Sequence, residues 1–204
     1  MFRFHNYSGE HTVELIDGGA GVNVIAGRNY GDTIDLSTTE LHNIDRIEAG
    51  EGNDTVIGTA GADTLIGGSG EDYLYGGDGD DTFLHAGSDG AYDLVNGGAG
   101  YDRLLGGDGD DVFRFHNYSG EHTVEVIDGG AGVNVIAGRN YGDTLDLSNT
   151  QVVNIDRIEA GEGDDTVIGT AGADTIIGGS GEDYLYGGDG DDTFLHAGSD
   201  SAYD

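Results

Sequence analysis

The chain has 204 residues, of which 41 are glycine, none is proline or cysteine, and only 36% are hydrophobic. This composition excludes disulfides and makes an ordinary packed core improbable on physical grounds, because too little apolar surface is available for burial. The formal net charge of -33 excludes nucleic acid and anionic membrane surfaces as partners and favours cations. No run of about 18 apolar residues could insert into a membrane.

Two periods organise the chain, one inside the other. Residues 2–93 match residues 113–204 at all but nine positions, so the longer period is a duplicated unit of 111 residues. We expect residues 2–112 to form the first unit and residues 113–204 an incomplete second unit, continuous with the first as one solenoid. Both ends lie inside a repeat, and we expect the sequence to be a piece of a longer protein.

Inside each unit the sequence repeats every nine residues. In the first unit the repeats begin at residues 9, 18, 27, 40, 49, 58, 67, 76, 88, 97 and 106, with insertions at 36–39, 85–87 and 115–119. A six-residue glycine-rich turn comes first, and an apolar residue always stands in eighth place. These eighth-place residues are Ile16, Ile25, Ile34, Ile47, Val56, Leu65, Leu74, Phe83, Val95, Leu104, Phe113, Ile127, Ile136, Leu145, Ile158, Val167, Ile176, Leu185 and Phe194.

A nine-residue period fits neither a helix nor a simple strand, so each repeat is predicted to be a short strand plus a turn. Two repeats then form one coil of 18 residues. Stacked coils would place like strands about 4.8 Å apart in two parallel sheets, with the eighth-place residues between them. Because a unit contains eleven half-coils, equivalent faces of successive units should lie on opposite sides of the solenoid. The insertions should bulge from one edge.

Position six of the repeat is an aspartate in sixteen repeats, and it ends the turn. Stacking brings each repeat beside the second one after it, so Asp54 should meet Asp72 and Asp63 should meet Asp81. Carboxylates at such close range repel unless a cation lies between them. The candidate metal ligands are Asp54, Asp63, Asp72, Asp81, Asp93, Asp102, Asp111, Asp165, Asp174, Asp183 and Asp192.

Glycines at positions two and four should supply backbone angles closed to other residues and let adjacent turns approach. They complete the candidate metal site as Gly50, Gly52, Gly68, Gly70, Gly77, Gly79, Gly98, Gly100, Gly107, Gly109, Gly161, Gly163, Gly179, Gly181, Gly188 and Gly190. Calcium fits this donor set, because it accepts 6 to 8 oxygens, backbone carbonyls included, in flexible geometry. Zinc or copper would call for cysteine or clustered histidine.

Several repeats depart from this pattern. Glu14 and Glu125 stand at position six, Asn23 and Asn134 replace the acid, and Arg28 with Arg139 interrupts the glycine pair. At these turns we expect weak calcium binding or none.

Four repeats fit every fixed place of the pattern G-G-x-G-x-D-x-apolar-x: GGSGEDYLY from Gly67, GGDGDDTFL from Gly76, GGAGYDRLL from Gly97 and GGDGDDVFR from Gly106. This pattern closely resembles the repeats-in-toxin (RTX) nonapeptide of hemolysin-type calcium-binding proteins. The resemblance implies an all-β, right-handed parallel β-roll. It also implies several calcium ions between successive turns, held by the position-six aspartates and turn carbonyls.

The duplicated unit favours a calcium-stiffened rod or extender in a large secreted or bacterial cell-surface protein of adhesin type. The alternative is the noncatalytic C-terminal module of a protease, lipase or toxin that assists type I secretion and folding. Ice binding is a third hypothesis, although no rank of threonine and asparagine is visible. No catalytic motif is present, and an enzyme is not expected. Partners would be calcium and adjacent units of the same chain, with end-to-end self-association of exposed coils.

Overall fold

The computed structural model describes residues 1–3, 13–85, 90–115, 118–119 and 123–195. Within these ranges all regular structure is β, and no helix is long and apolar enough to span a membrane. The strands are β1 (Phe2–Arg3), β2 (Leu15–Asp17), β3 (Val24–Ala26), β4 (Thr33–Asp35), β5 (Glu40–His42), β6 (Arg46–Glu51), β7 (Thr55–Ile57), β8 (Thr64–Ser69), β9 (Tyr73–Asp78), β10 (Thr82–Leu84), β11 (Leu94–Ala99), β12 (Arg103–Leu105), β13 (Val112–Arg114), β14 (Val126–Asp128), β15 (Val135–Ala137), β16 (Thr144–Asp146), β17 (Gln151–Val153), β18 (Arg157–Glu162), β19 (Thr166–Ile168), β20 (Thr175–Ser180), β21 (Tyr184–Tyr186) and β22 (Thr193–Leu195).

In the part of the chain that the structure describes, every strand pair is parallel, and most strands pair with the strand of the second repeat along the chain. Strand β6 pairs with β8, with Ile47 beside Leu65, and β7 pairs with β9, with Val56 beside Leu74. In these pairs the offset is one coil of 18 residues, as predicted, and it is larger where an insertion lies between the paired strands. The fold is therefore a parallel β-solenoid of about eight turns, which confirms the predicted fold class of an RTX β-roll.

The strands form five ladders, so the predicted parallel sheets are interrupted along the solenoid. The largest has the order β1-β3-β6-β8-β10-β12-β14-β17, and the others contain four, five, three and two strands. The breaks lie at the insertions. After the insertion at 36–39 the chain adds strand β5, which pairs with β2, and its equivalent β17 pairs with β14. A coil with a third strand cannot keep the two-sheet register of its neighbours.

The insertions, which were predicted to bulge from one edge, also contribute to the core. Leu36 and its equivalent Leu147 are fully buried, and Phe115 and Tyr118 are each 1% exposed. The Tyr118 hydroxyl lies 3.0 Å from the Thr150 hydroxyl, which gives its buried oxygen a hydrogen-bond partner. These side chains bury apolar area that a strictly periodic roll would lack. Residues 86–87 and 116–117 of the insertions lie outside the described ranges.

The core is one side chain thick and follows the predicted eighth place. Seventeen of the nineteen predicted residues belong to one buried cluster, Leu185 packs against it, and Phe194 is 50% exposed. Outward neighbours alternate with them, as the pattern of Thr64–Ser69 shows. Each coil therefore buries few apolar side chains, so neighbouring coils must supply the remaining stability.

Equivalent strands of the two units lie in different sheets. Strand β8 belongs to the eight-stranded ladder, whereas its copy β20 belongs to the five-stranded ladder. The eight-stranded ladder nevertheless runs without a break from β12 of the first unit into β14 of the second. The odd number of half-coils in a unit thus has the predicted effect, because equivalent strands change sheet from one unit to the next.

Glycines of the turns let successive coils approach more closely than a side chain would allow. Gly68 has φ of 113°, and a Cβ built there would lie 1.8 Å from the Gly50 carbonyl oxygen. Positive φ holds at every predicted glycine of positions two and four except Gly107 and Gly109. For those two the prediction of special backbone angles is wrong; their turn stacks on Asn134 and not on an aspartate.

Replacement of Gly68 by alanine is expected to destabilise the calcium-bound fold by about 2 kcal/mol or more. Positive φ alone costs an L-residue roughly 1–2 kcal/mol, and the overlap with the neighbouring carbonyl adds to it. The matched control is Gly61→Ala, because its nearest neighbour is a threonine hydroxyl at 3.7 Å and its φ is not positive. Urea unfolding in saturating calcium should separate the two variants; equal midpoints would contradict the close stacking.

Candidate metal centre

The position-six aspartates form ladders that run along the solenoid. In each step the backbone N–H of one position-six residue donates to the side chain of the position-six residue one coil later. Asp54 N–H donates to Asp72 Oδ1 at 2.9 Å, and Asp63 N–H donates to Asp81 Oδ1 at 2.8 Å. The two predicted pairings are therefore confirmed. The contact runs from backbone to carboxylate, so one oxygen of each acid is committed to the fold.

The second carboxylate oxygen distinguishes two classes of turn. In the first class Oδ2 is buried and accepts no hydrogen bond from any described residue; its clearest members are Asp54, Asp81, Asp102 and Asp165. These residues are at most 1% exposed. A buried acceptor without a donor costs free energy, and a buried carboxylate costs more. Such oxygens call for a cation.

The first residue of the turn lies directly beneath this oxygen. A Cβ built on Gly76 would lie 2.0 Å from Asp81 Oδ2, and one built on Gly97 would lie 2.1 Å from Asp102 Oδ2. Position-one glycines therefore matter to the site, and the sequence analysis missed them. The sequence pattern that could have identified them is the pair of adjacent glycines that opens the repeat.

Burial raises the pKa values of these carboxyl groups. Desolvation is the main cause for Asp81, whose pKa rises to about 7, and for Asp54 and Asp165, whose pKa values rise to about 6. The backbone N–H of the preceding ladder residue opposes the shift, and neighbouring acids add to it. Without a bound cation, these acids are therefore protonated more readily in the folded state than in the unfolded chain.

Acidification is expected to increase the stability of the calcium-free chain. The pKa values of Asp54, Asp81 and Asp165 are raised on folding, so their contribution is fully present below the ordinary pKa of 3.8 and is lost as pH rises through about 6 to 7. Circular dichroism of metal-free protein from about pH 8 to about pH 5 should show a gain of β structure. The double variant Asp81→Asn and Asp165→Asn should show a weaker dependence. A loss of β structure over this interval would contradict the expectation.

In the second class of turn, Oδ2 accepts the backbone N–H of the residue four positions earlier. Thr59 N–H donates to Asp63 Oδ2 at 2.6 Å, and Gly107 N–H donates to Asp111 Oδ2 at 2.8 Å. This class comprises Asp32, Asp63, Asp111, Asp143 and Asp174. Three of them, Asp63, Asp111 and Asp174, are predicted ligands whose second oxygen is occupied by their own turn.

The hexapeptide GGDGDD occurs three times, at 76–81, 106–111 and 187–192, and it does not adopt one structure. The glycines at 77 and 79 have positive φ and Asp81 Oδ2 accepts no hydrogen bond, whereas Gly107 and Gly109 lack positive φ and Asp111 Oδ2 is engaged. Turn 76–81 stacks on turn 97–102, which ends in Asp102. Turn 106–111 instead meets Asn134, whose Oδ1 accepts the Asp111 N–H.

The donor set fits calcium and not a metal that requires several side chains. Among the described residues, no three His, Asp or Glu side chains converge closely enough to hold an ion. The oxygens beyond Oδ2 would have to come from backbone carbonyls, which the tight stacking of turns places nearby, as at Gly50 and Gly68. Calcium accepts carbonyl oxygens readily, whereas zinc does not.

Some position-six residues on the same ladders fell outside the predicted ligand set. Asp45 and Asp156 accept the N–H groups of Asn23 and Asn134 through Oδ2. The nine-residue period places both residues at position six, so the sequence could have identified them as members of the ladders. Both are exposed, and neither is in a turn with the double glycine.

Three comparisons with known proteins bear on these turns. Comparison with curated proteins gives no match. Among solved structures, the extracellular lipase LipA from Serratia marcescens is similar at 20% identity and a TM-score of 0.29, covering 78% of this chain and 37% of the lipase. The chain thus spans little more than a third of that lipase.

The family model of the RTX calcium-binding nonapeptide repeat, in four copies, matches residues 44–83, 92–115 and 156–194. These ranges make up slightly more than half of the chain and contain the turns that end in Asp54, Asp81, Asp102 and Asp165. Membership implies calcium binding. The chain therefore belongs to the family of RTX calcium-binding nonapeptide repeat proteins.

Proposed function

We propose that the chain is a calcium-stiffened extender segment of a large secreted or bacterial cell-surface protein of adhesin type. The observation that carries the proposal is the continuous ladder from β12 of the first unit to β14 of the second. Because the sheet does not stop at the unit boundary, tandem units add to one rod and do not form separate beads. The near-identity of the units fits a structure whose role is to extend a given distance, because each added unit contributes the same length.

The proposed ligands are the carboxylates of Asp54, Asp81, Asp102 and Asp165 together with carbonyls of the glycine turns. Calcium would neutralise their charge and join successive coils, while Oδ1 keeps its hydrogen bond to the preceding coil. Asp72, Asp93, Asp183 and Asp192 lie on the same ladders and are proposed as further ligands. Asp63, Asp111 and Asp174 are proposed to serve mainly in closing their own turns.

The proposal also specifies the binding partners and the absence of a catalytic role. Calcium and neighbouring units are the partners, and no nucleic acid, membrane insertion or catalytic role is included. End-to-end association of rods through any exposed strand edge is also proposed. An unpaired strand edge with exposed apolar side chains favours pairing with another chain.

Small-angle X-ray scattering of chains with one, two and three tandem units tests the extender. In calcium, each added unit should lengthen the particle by roughly 26 Å, the rise of five and a half coils at about 4.8 Å each. Without calcium, the maximum dimension should follow the scaling of a flexible chain. If added units do not lengthen the calcium-bound particle in proportion, the rod is refuted. An independent folding and secretion module would then be favoured.

A further inference from the structure

In each unit, one coil contains an arginine whose positive charge pairs with the position-six aspartate of the same turn. In the turn 27–32 the backbone N–H of Arg28 donates to Asp32 Oδ2 at 2.6 Å, and its guanidinium donates to Asp32 Oδ1 from Nε at 3.3 Å and from Nη2 at 2.9 Å. The Asp32 side chain is fully buried, while that of Arg28 is 34% exposed. Both oxygens of this carboxylate are therefore satisfied inside the turn by a positively charged residue.

The second unit repeats this arrangement. Arg139 donates to Asp143 through its backbone N–H and through Nε and Nη2, and the Asp143 side chain is fully buried. The same residue types therefore make the same contacts in both units. Arginine suits this role because its planar guanidinium is always charged and donates several hydrogen bonds.

The opposite turn of the same coil is also satisfied by the chain itself. Asn23 stands at position six of turn 18–23, and its Nδ2 donates to the carbonyls of Gly19 and Gly21 at 3.2 Å each. These are the glycines of positions two and four, whose carbonyls would otherwise require another partner. In the second unit Nδ2 of Asn134 donates to the Asn154 carbonyl at 2.9 Å.

We propose that Arg28 and Arg139 take the place of calcium in their turns, so that the coils at 18–35 and 129–146 are the calcium-independent templates on which the other coils of each unit assemble. This inference rests on the proposed calcium-bound function of the remaining coils. The next coil docks directly on the arginine turn, since Asp32 N–H donates to Asp54 Oδ1 at 2.6 Å and Gly27 N–H donates to the Glu48 carbonyl.

A template of this kind has a physical consequence for folding. In a solenoid each coil contacts only its neighbours, so a coil that is already ordered lowers the cost of adding the next one. The Asp54 turn follows the template, and its Oδ2 accepts no hydrogen bond from a described residue. Calcium would therefore be needed from that turn onward, while the template supplies the first ordered surface.

The test compares two double variants of the whole chain that remove the same charge. Arg28→Gln with Arg139→Gln leaves Asp32 and Asp143 without their cation. Arg46→Gln with Arg157→Gln removes arginines that pair with the partly exposed Glu48 and Glu159 on strands. In calcium titrations followed by circular dichroism, the first pair should raise the midpoint on the order of threefold. The control should change it by less than about 1.5-fold.

Amide hydrogen exchange in the absence of calcium measures whether the template coils are folded on their own. In the unmodified chain, strands β3, β4, β15 and β16 should retain the strongest protection, and the first double variant should lose it. Equal protection in that variant and the control would overturn the proposal. If the unmodified chain shows no response to calcium at all, the proposed function fails, yet the difference between the two variants in exchange still tests the arginine pairs.

A rescue variant separates charge replacement from packing of the arginine stems. Adding Asp32→Asn and Asp143→Asn to the first double variant removes the uncompensated carboxylates and should bring the calcium midpoint back to within about twofold of the unmodified chain. A midpoint that stays raised would assign the loss to packing and overturn the proposal. Asp32→Asn with Asp143→Asn in the unmodified chain should leave the number of bound calcium ions unchanged, and a reduced number would overturn it as well.

Discussion

Chelation of calcium is expected to convert the chain from a β-rich solenoid into a largely disordered chain. The core is one side chain thick, and only 36% of residues are hydrophobic, so apolar burial cannot offset the conformational entropy of 41 glycines and their neighbours. The net charge of -33 adds repulsion between stacked acidic turns. A cation that binds the folded turns and not the unfolded chain shifts the equilibrium toward the folded state by mass action.

Circular dichroism in a chelator and in millimolar calcium measures this transition. Addition of calcium should restore the β spectrum, and addition of magnesium at the same concentration should restore much less, because magnesium keeps its water and demands octahedral geometry. A spectrum that is the same in chelator and in calcium would show that the coils do not depend on the ion. Residual structure in chelator is expected only at the coils that contain Arg28 and Arg139.

Replacement of Asp81 by asparagine is expected to weaken calcium binding on the order of tenfold, whereas the same change at Asp111 should have little effect. The two aspartates end identical hexapeptides. Asparagine at 81 keeps the hydrogen bond from Asp63 N–H and replaces only the buried Oδ2, which accepts no hydrogen bond from a described residue. Asp111 Oδ2 already accepts the Gly107 N–H, so its loss should remove no ligand.

Isothermal titration calorimetry gives the affinity and the number of sites for both variants. In addition, Asp81→Asn should make the calcium-free chain more stable, since an amide carries no charge at a site where burial raises the pKa of the acid to about 7. The two effects have opposite signs, which a general disruption of the fold could not produce. A loss of calcium affinity at Asp111→Asn as large as at Asp81→Asn would refute the division into two classes of turn.

The repeat pattern was sufficient to predict the core and the stacking. An apolar residue in every eighth place can be buried only if strands of like phase face inward, and Ile47, Leu65 and Phe83 do so in adjacent strands of one sheet. The glycines of positions two and four predicted close approach of the turns for the same reason. These features are local and periodic, so they could be read without tertiary information.

The insertions and the third strands could not be predicted in this way. Leu36 and Tyr118 break the period, and nothing in a nine-residue pattern shows that they turn inward or that β5 pairs with β2. The partner of β5 lies in another repeat, and its register depends on how the inserted residues close the coil. Aperiodic segments are positioned by packing against distant parts of the chain. Such contacts cannot be predicted from the local sequence.

The solenoid, its inward residues and the ladder of position-six acids follow from the nine-residue period alone, because the same local chemistry recurs in each repeat. Which acids keep a buried oxygen that accepts no hydrogen bond depends on how the turns stack in the fold. Asp81 and Asp111 share the same hexapeptide, yet one stacks on Asp102 and the other on Asn134. For these two identical hexapeptides, the local sequence is the same and the stacked partner one coil away differs, so the state of Oδ2 could not be predicted from the repeat alone.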